Sequence, residues 1–277
     1  MAYDVIVVGG GPAGLSAAQN VRARGRTALV VSNPLEENPL WKAKEVDNYL
    51  GLPRVTGSEL LTAFRRHAED AGAEFLEGRA LSALRSGEDW FVSVENAMVQ
   101  GKAVVLAAGV VRGKKIPGEA ELLGRGVSYC ATCDGMLYRG KKVAVLGWTP
   151  SAKKEAAFLE GIGCEVSYFD RPRDCSIQGT EKVEAVICGG AAEAVEGVFL
   201  LRPAMAPGDL FPGLAAEGGF VTADRDMATN LPGVFAAGDC TGGPLQVSKA
   251  VGEGLVAGQK AAAFAAALKE GNSKQRR

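Results

Sequence analysis

Gly9-Gly10-Gly11-Pro12-Ala13-Gly14 stands directly behind the apolar run Asp4 to Val8 and opens a helix-like stretch from Ala13 to about Arg24. A second apolar run, Thr27 to Val31, follows it. Strand, glycine turn, helix, strand is the start of a doubly wound sheet. Gly9 permits the tight turn, Gly11 lets the backbone approach a pyrophosphate, and Gly14 lets helix and strand pack closely. The free N–H groups where the helix starts, at Pro12-Ala13-Gly14, then face the phosphates. The motif alone does not separate FAD from NAD. A carboxylate is expected near the end of the second strand to bind the adenosine ribose. Ser32 and Asn33 occupy that place, with Glu36 and Glu37 slightly later, so a serine, an asparagine or a main-chain group can stand in for it.

The same order recurs further on. Lys142 to Leu146 reads as a strand, Gly147 as a turn, Ser151 to Glu160 as a helix and Cys164 to Phe169 as another strand. Two such units predict an α/β chain of two Rossmann-like three-layer domains. Between them, residues 33–57 read as an irregular excursion, Glu59 to Ala71 as a helix, and Phe91 to Val94 and Lys102 to Ala108 as strands. The cluster of Gly, Lys and Pro from Gly113 to Glu121 marks a boundary. After Phe169 the pattern weakens. Glu184 to Cys188 and Gly197 to Leu201 are short strand candidates, and Thr229 to Ala237 gives a turn and a strand ending in Gly238-Asp239. Val247 to Leu268 reads as a long alanine-rich helix, and Gly271 to Arg277 as a disordered polar tail.

Composition excludes several classes. Lys plus Arg number 31 against 32 Asp plus Glu, a formal charge of −1, which gives no electrostatic reason to expect nucleic acid. No apolar run is long enough to span a bilayer, and no signal peptide is evident at the start. Six cysteines in 277 residues are too few for a disulfide-rich secreted scaffold, so a cytoplasmic location with a catalytic reactive pair is expected.

That pair is Cys130 and Cys133, in Tyr129-Cys130-Ala131-Thr132-Cys133-Asp134-Gly135. Two cysteines three positions apart can close a small disulfide ring, and the spacing can lower one thiol's pKa and favour exchange. Asp134 stands beside them and can carry the proton that exchange must move. A structural zinc site needs four ligands. Cys164, Cys175, Cys188 and Cys240 form no second close pair, and the one histidine, His67, lies in the predicted helix far upstream. No metal is expected. The isolated cysteines read as small buried apolar residues, and His67 as a surface helix residue.

The glycine motif, the Cys130–Gly135 segment, Gly238-Asp239 and the helix start from Gln246-Val247 to Gly258 together resemble the low-molecular-weight thioredoxin reductases, over nearly the whole chain. The resemblance implies non-covalent FAD in a domain built from both chain ends, residues 1–115 and 229–277, with a redox-disulfide domain at 116–228 shaped like an NADPH-binding fold. It implies that Gly9, Gly11 and Gly14 hold the pyrophosphate and that Asn48 lies near the flavin ring. Asp239 would bind the ribityl or pyrophosphate region, and Gln246 and Val247 would approach the isoalloxazine. Ala107-Ala108-Gly109 resembles the family's turn near the adenine side. It implies further that Cys133 is the flavin-proximal thiol, that Cys130 attacks the partner's disulfide, that Asp134 is the acid or base, and that the protein is a homodimer reducing thioredoxin or a similar small protein.

Two departures bear on the electron donor. The second turn reads Gly147-Trp148-Thr149-Pro150-Ser151-Ala152, so a threonine stands where the backbone must approach a pyrophosphate. In place of the family's His-Arg-Arg run stands Phe169-Asp170-Arg171-Pro172-Arg173, and the stretch from Asp174 to Gly197 is short for the family. Arg171 and Arg173 can still reach a phosphate, but Asp170 opposes it and Pro172 restricts the backbone. Trp148 reads as a packing residue. The expectation is an FAD enzyme of the kind that does not use NADPH and takes electrons from another donor, ferredoxin being one. The alternatives are an NADPH-dependent thioredoxin reductase with an atypical site and a non-enzymatic flavoprotein redox sensor. A ferredoxin–NADP oxidoreductase of related fold is disfavoured, because it normally lacks a flavin-facing dithiol.

Overall fold

A computed structural model describes residues 2–95, 97–110 and 115–275, with side chains through 270. The chain forms two compact units, Met1–Val111 with Ala204–Arg277, and Arg112–Pro203.

The first unit opens with β1 (Ala2–Val8), α1 (Pro12–Ala23), β2 (Ala28–Ser32), α2 (Gly57–Asp70), β3 (Glu74–Glu77), β4 (Ala80–Ser86), β5 (Asp89–Val94) and β6 (Ala97–Leu106). Parallel pairing joins β3, β2, β1 and the end of β6, while β4 and β5 extend from β6 as an antiparallel arm. Alternation along β1 divides its side chains between two cores. Val5 and Val7 join the helices on one face, and Ile6 and Val8 face the arm. Residues 33–57 are irregular, as the sequence suggests, with two short 3-10 turns at Leu35–Glu37 and Pro39–Lys42. β3 and β4 have no counterpart in the sequence reading: β3 is a short strand of Glu-Phe-Leu-Glu, half-buried at most, without an apolar run to mark it.

The second unit contains α3 (Glu119–Leu122), β7 (Val127–Ser128), α4 (Ala131–Asp134), β8 (Lys142–Gly147), α5 (Ala152–Gly161), β9 (Glu165–Asp170), β10 (Cys175–Gln178), β11 (Ala185–Cys188), β12 (Ala191–Ala194) and β13 (Gly197–Leu201). A parallel sheet in the order β7-β13-β8-β9 lies between two layers. Val143, Val145, Phe199 and Leu201 pack with α5, and Ala144, Leu146, Val198 and Leu200 pack with residues of the antiparallel sheet β10-β11-β12.

The chain then returns to the first unit through α6 (Pro207–Leu210), β14 (Ala216–Glu217), β15 (Phe220–Val221), β16 (Val234–Ala236) and α7 (Val247–Gln275). The second unit therefore ends at Pro203 rather than at residue 228. Leu210, Phe211, Leu214 and Val221 are buried in the core of the first unit, where Phe211 meets Trp90 edge-on at 5.5 Å. Burial of these side chains draws 204–228 to the first unit. The boundary expected near Gly113 begins on residues outside those described. The tail expected from Gly271 is instead helical, α7 continuing through Gln275; Arg276 and Arg277 lie outside the described residues. Among the described residues no helix is long and apolar enough to cross a membrane.

Cys175 and Cys188 form a disulfide, which corrects their reading as isolated thiols. They stand opposite each other on β10 and β11, with Cα atoms 4.3 Å apart, the close spacing of a non-hydrogen-bonded cross-strand pair. Their separation of 13 residues leaves no spacing motif; only the strand register brings them together. Closing a loop of this length in the unfolded chain stabilises the native state by about 3 kcal/mol. A Cys175→Ala/Cys188→Ala variant is accordingly expected to unfold at lower denaturant, measured against the oxidised protein; an unchanged midpoint would contradict this. Cys164 and Cys240 are free and buried, as expected of small apolar residues, and burial pushes the Cys240 thiol up to about 12.

Candidate active site

In the first unit the glycine turn is held by close approaches. Gly9 turns at φ +116°, and a Cβ there would stand 2.2 Å from the Ala107 carbonyl oxygen. A Cβ on Gly14 would stand 1.9 Å from the Gly9 carbonyl oxygen, so α1 can lie against the turn only with glycine at that position. At Gly11 the nearest atom to such a Cβ is a side-chain atom, Asn38 Nδ2 at 3.2 Å, rather than backbone. Gly11 caps α1, Pro12 opens it, no side chain caps the first turn, and no acidic residue lies there. The first-turn N–H groups of this 12-residue helix are thus oriented for an anion.

Both chain ends contribute. Gly254 and Gly258 on α7 lie so close to α1 that a Cβ would come within 2.2 Å of Ala13 O and 2.4 Å of Ala17 O. Gly238, at φ +86°, lies against Ala13. Asp239 follows; burial raises its carboxyl, the Lys249 charge lowers it and Glu253 raises it, and the net shift is upward. Lys249 and Glu253, which sequence reading missed, hold this turn. Lys249 Nζ donates to Gly238 O at 2.9 Å, Thr241 Oγ1 at 3.0 Å and Gly242 O at 2.7 Å. Glu253 accepts the Gly238 N–H and the Thr241 hydroxyl, each at 2.8 Å, and pairs with Lys249 at 3.1 Å. Their i,i+4 spacing just after Gly-Asp was the available signal.

Asn48 and Gln246, 198 positions apart, meet: Asn48 Nδ2 donates to Gln246 Oε1 at 2.6 Å. Val247 is the first residue of α7. Ala108 follows the Ala107 carbonyl that faces Gly9, and Gly109 turns at φ +66°. Ser32 faces Gly10. Asn33 Nδ2 donates to Glu37 at 3.1 Å, which brings a carboxylate to the end of β2 after all. Burial raises that carboxyl against the lowering effects of Asn33, Arg79 and Lys42. A glycine cradle that a Cβ would fill, an uncapped helix start and a carboxylate beside β2 fit a dinucleotide such as FAD.

In the second unit β7 delivers the dithiol segment. Cys130 and Cys133 form a disulfide, Cys130 at the N-cap of α4. Cys130 is 7% exposed, whereas Cys133 is exposed. The Cys133 N–H donates to Cys130 Sγ at 3.0 Å, and Thr132 Oγ1 lies 3.4 Å from the same sulfur. Ser128 Oγ donates to Asp134 Oδ2 at 2.7 Å. Gly135 lets the segment lie close to α5, where a Cβ would come within 2.8 Å of the end of the Leu159 side chain. Among the described residues no three His, Cys, Asp or Glu side chains are grouped to hold a metal ion. His67 is exposed on α2.

The second glycine turn is filled by its own side chains. Gly147 stays in strand β8 instead of turning as Gly9 does, and Trp148 packs, half-buried, against the core that holds Leu146, Val198 and Leu200. The Arg202 guanidinium lies 5.0 Å from the Trp148 ring centroid and forms two bonds to Glu119, at 2.6 and 2.7 Å. Thr149, where the first turn has Gly11, is 5% exposed, and its hydroxyl meets Ser151 Oγ at 3.0 Å. Arg171 turns at φ +45° and is exposed, as is Arg173.

Known proteins are similar to this chain over nearly its whole length. The family model described as pyridine nucleotide-disulphide oxidoreductase matches residues 3–195 and 210–254. The thioredoxin reductase of Bacillus subtilis (strain 168) is 30% identical over 305 residues, covering 97% of this chain and 96% of its own. A crystal structure of a ferredoxin-flavin thioredoxin reductase from Clostridium acetobutylicum superposes with a TM-score of 0.90 at 34% identity, covering 97% of this chain and 99% of that one. A thioredoxin reductase from Gloeobacter violaceus gives 0.81 at 30% identity, covering 95% and 94%.

Proposed function

The chain belongs to the pyridine nucleotide-disulphide oxidoreductase family, and from that premise we propose that it reduces thioredoxin or a similar small disulfide protein through Cys130 and Cys133, with ferredoxin rather than NADPH as electron source. It is a flavin-dependent disulfide oxidoreductase with an FAD site. FAD, when bound, supplies a carrier that can take electrons singly and deliver them as a pair. The chain's residues do the rest. Gly9, Gly11 and Gly14 with the start of α1 seat the pyrophosphate, and Asp239, in the turn that Lys249 and Glu253 hold, flanks it. Asn48 and Gln246, already joined, with Val247, border the ring. Reduction opens the Cys130–Cys133 bond. Cys133 is the thiol on the flavin side, Cys130 attacks the partner's disulfide, and Asp134 moves the proton. Because Cys130 is the buried member of the pair, its sulfur must be uncovered for that attack. A homodimer, by the family resemblance, and a cytoplasmic location, where a dithiol can cycle, complete the proposal.

The single observation that carries the choice of donor is the filled second turn. Where the first unit has bare glycines, Thr149 is buried with its hydroxyl on Ser151, and Trp148 packs on the core with Arg202 over its ring and tied to Glu119. Mixed anaerobically with the yellow holoenzyme, reduced ferredoxin is expected to bleach the flavin band, and NADPH to leave it standing. Rapid bleaching by low NADPH overturns the donor and restores an NADPH-dependent reductase.

A further inference from the structure

Ser128 is buried, and its hydroxyl touches three groups of the dithiol segment. Its Oγ lies 2.7 Å from Asp134 Oδ2 and 3.2 Å from the Cys130 carbonyl oxygen, and it accepts the Cys130 N–H at 3.1 Å. A serine hydroxyl has one hydrogen and two acceptor positions. It can donate to Asp134 or to the Cys130 carbonyl, but not to both at once.

We propose that Ser128 is a positioning residue for Asp134, turning its one hydrogen between Asp134 Oδ2 and the Cys130 carbonyl as Asp134 loses and gains a proton. This rests on the acid–base role given to Asp134 above. With Asp134 ionised, the hydroxyl donates to the carboxylate. With Asp134 protonated, the acid donates to Oγ and the hydroxyl hydrogen turns to the Cys130 carbonyl. Cys130 N–H keeps its acceptor in both states. The proton therefore moves without orphaning a buried polar atom, which would oppose the transfer.

The exchange balances. The attacking enzyme thiol gives its proton to the Asp134 carboxylate, and its sulfur electron pair forms the new S–S bond. The partner's S–S bond breaks, its electron pair stays on the departing sulfur, and that sulfur takes the proton from Asp134. The second enzyme thiol then attacks the enzyme sulfur of the mixed disulfide: its electron pair forms the enzyme S–S bond, the bond to the partner breaks with its pair on the partner's sulfur, and the attacker's proton passes to that sulfur. The enzyme dithiol is oxidised to a disulfide, and the partner disulfide is reduced to a dithiol.

A departing alkylthiolate needs that proton far more than a departing arylthiolate, which is a weak base and leaves unaided. Photoreduced holoenzyme would be mixed with bis(hydroxyethyl) disulfide and, separately, with dithiobis(nitrobenzoate). Ser128→Ala is expected to lower the ratio of the first rate to the second about tenfold, part of what general acid catalysis contributes. Ser128→Thr, which keeps the hydroxyl, restores the ratio. In an Asp134→Asn background, Ser128→Ala leaves the already lowered ratio where it is. Equal slowing of both disulfides would mean that Ser128 only holds the fold together, and overturns the proposal. So does a further fall in the ratio in the Asp134→Asn background. A wild-type ratio in Asp134→Asn alone removes the acid–base role of Asp134 itself, a different failure.

Discussion

Replacing Cys130 or Cys133 by serine is expected to lower turnover of a protein disulfide by at least about a thousandfold, because exchange needs one thiol to attack and a second to resolve. The second unit holds two disulfides, and their surroundings differ. Around Cys130–Cys133 stand a backbone N–H and a hydroxyl on one sulfur, an exposed second residue and a carboxylate next in sequence. Cys175–Cys188 joins two paired strands, with Cys175 buried in an apolar core. Cys175→Ala/Cys188→Ala should therefore retain turnover within a few-fold while losing stability. If that double variant is inactive and the Cys130 and Cys133 variants are active, the strand disulfide is the redox centre. Trapping separates the two thiols' jobs. A mixed disulfide that accumulates with Cys133→Ser assigns the attack to Cys130. Its accumulation only with Cys130→Ser assigns it to Cys133, the exposed residue.

Legibility followed local chemistry. The Gly9–Gly14 turn was readable because the strand before it and the helix after it are both local, and Gly14 answers a contact with Gly9 five residues away. The Cys130–Cys133 bond was readable because two cysteines three positions apart can close a ring without help from distant residues. The packing of Trp148 was legible as well, for a large ring in a turn needs an apolar neighbourhood. Residues 204–228 were not, since Leu210 and Phe211 carry no periodic pattern and their place depends on the distant arm bearing Trp90. The Cys175–Cys188 bond was hidden for the same reason, being set by strand register. Glu37 was in view but unplaced until Asn33 tied it to the end of β2.

Arg202→Ala is expected to destabilise the protein by about 3–5 kcal/mol at neutral pH, the cost of breaking a buried ion pair from one side. Glu119 is 1% exposed and spends its carboxylate on Arg202 twice, on the Tyr129 hydroxyl at 3.0 Å and on the Ile116 N–H at 2.9 Å. Burial pushes the Glu119 carboxyl up, but Arg202, Ile116 and Tyr129 together bring it below the ordinary carboxylate range. A carboxyl lowered in the folded state contributes stability above its unfolded value, about 4.3, and that contribution fades as the pH falls through the folded value. In Arg202→Ala the largest opposing partner is gone and burial dominates, so acid, by neutralising Glu119, relieves the variant while it costs the wild type. The difference in denaturant midpoint should be widest near pH 7 and should narrow toward about pH 4. Arg202→Lys recovers only part of it, because an ammonium cannot make the paired bonds or stack on Trp148 as a guanidinium does. Replacing both partners with apolar residues of similar size, Glu119→Leu with Arg202→Met, should recover more than the lysine, since it removes the unpaired charge instead of weakening its partner. A deficit in Arg202→Ala that is independent of pH would show that packing against Trp148, and not the charge on Glu119, is what Arg202 supplies.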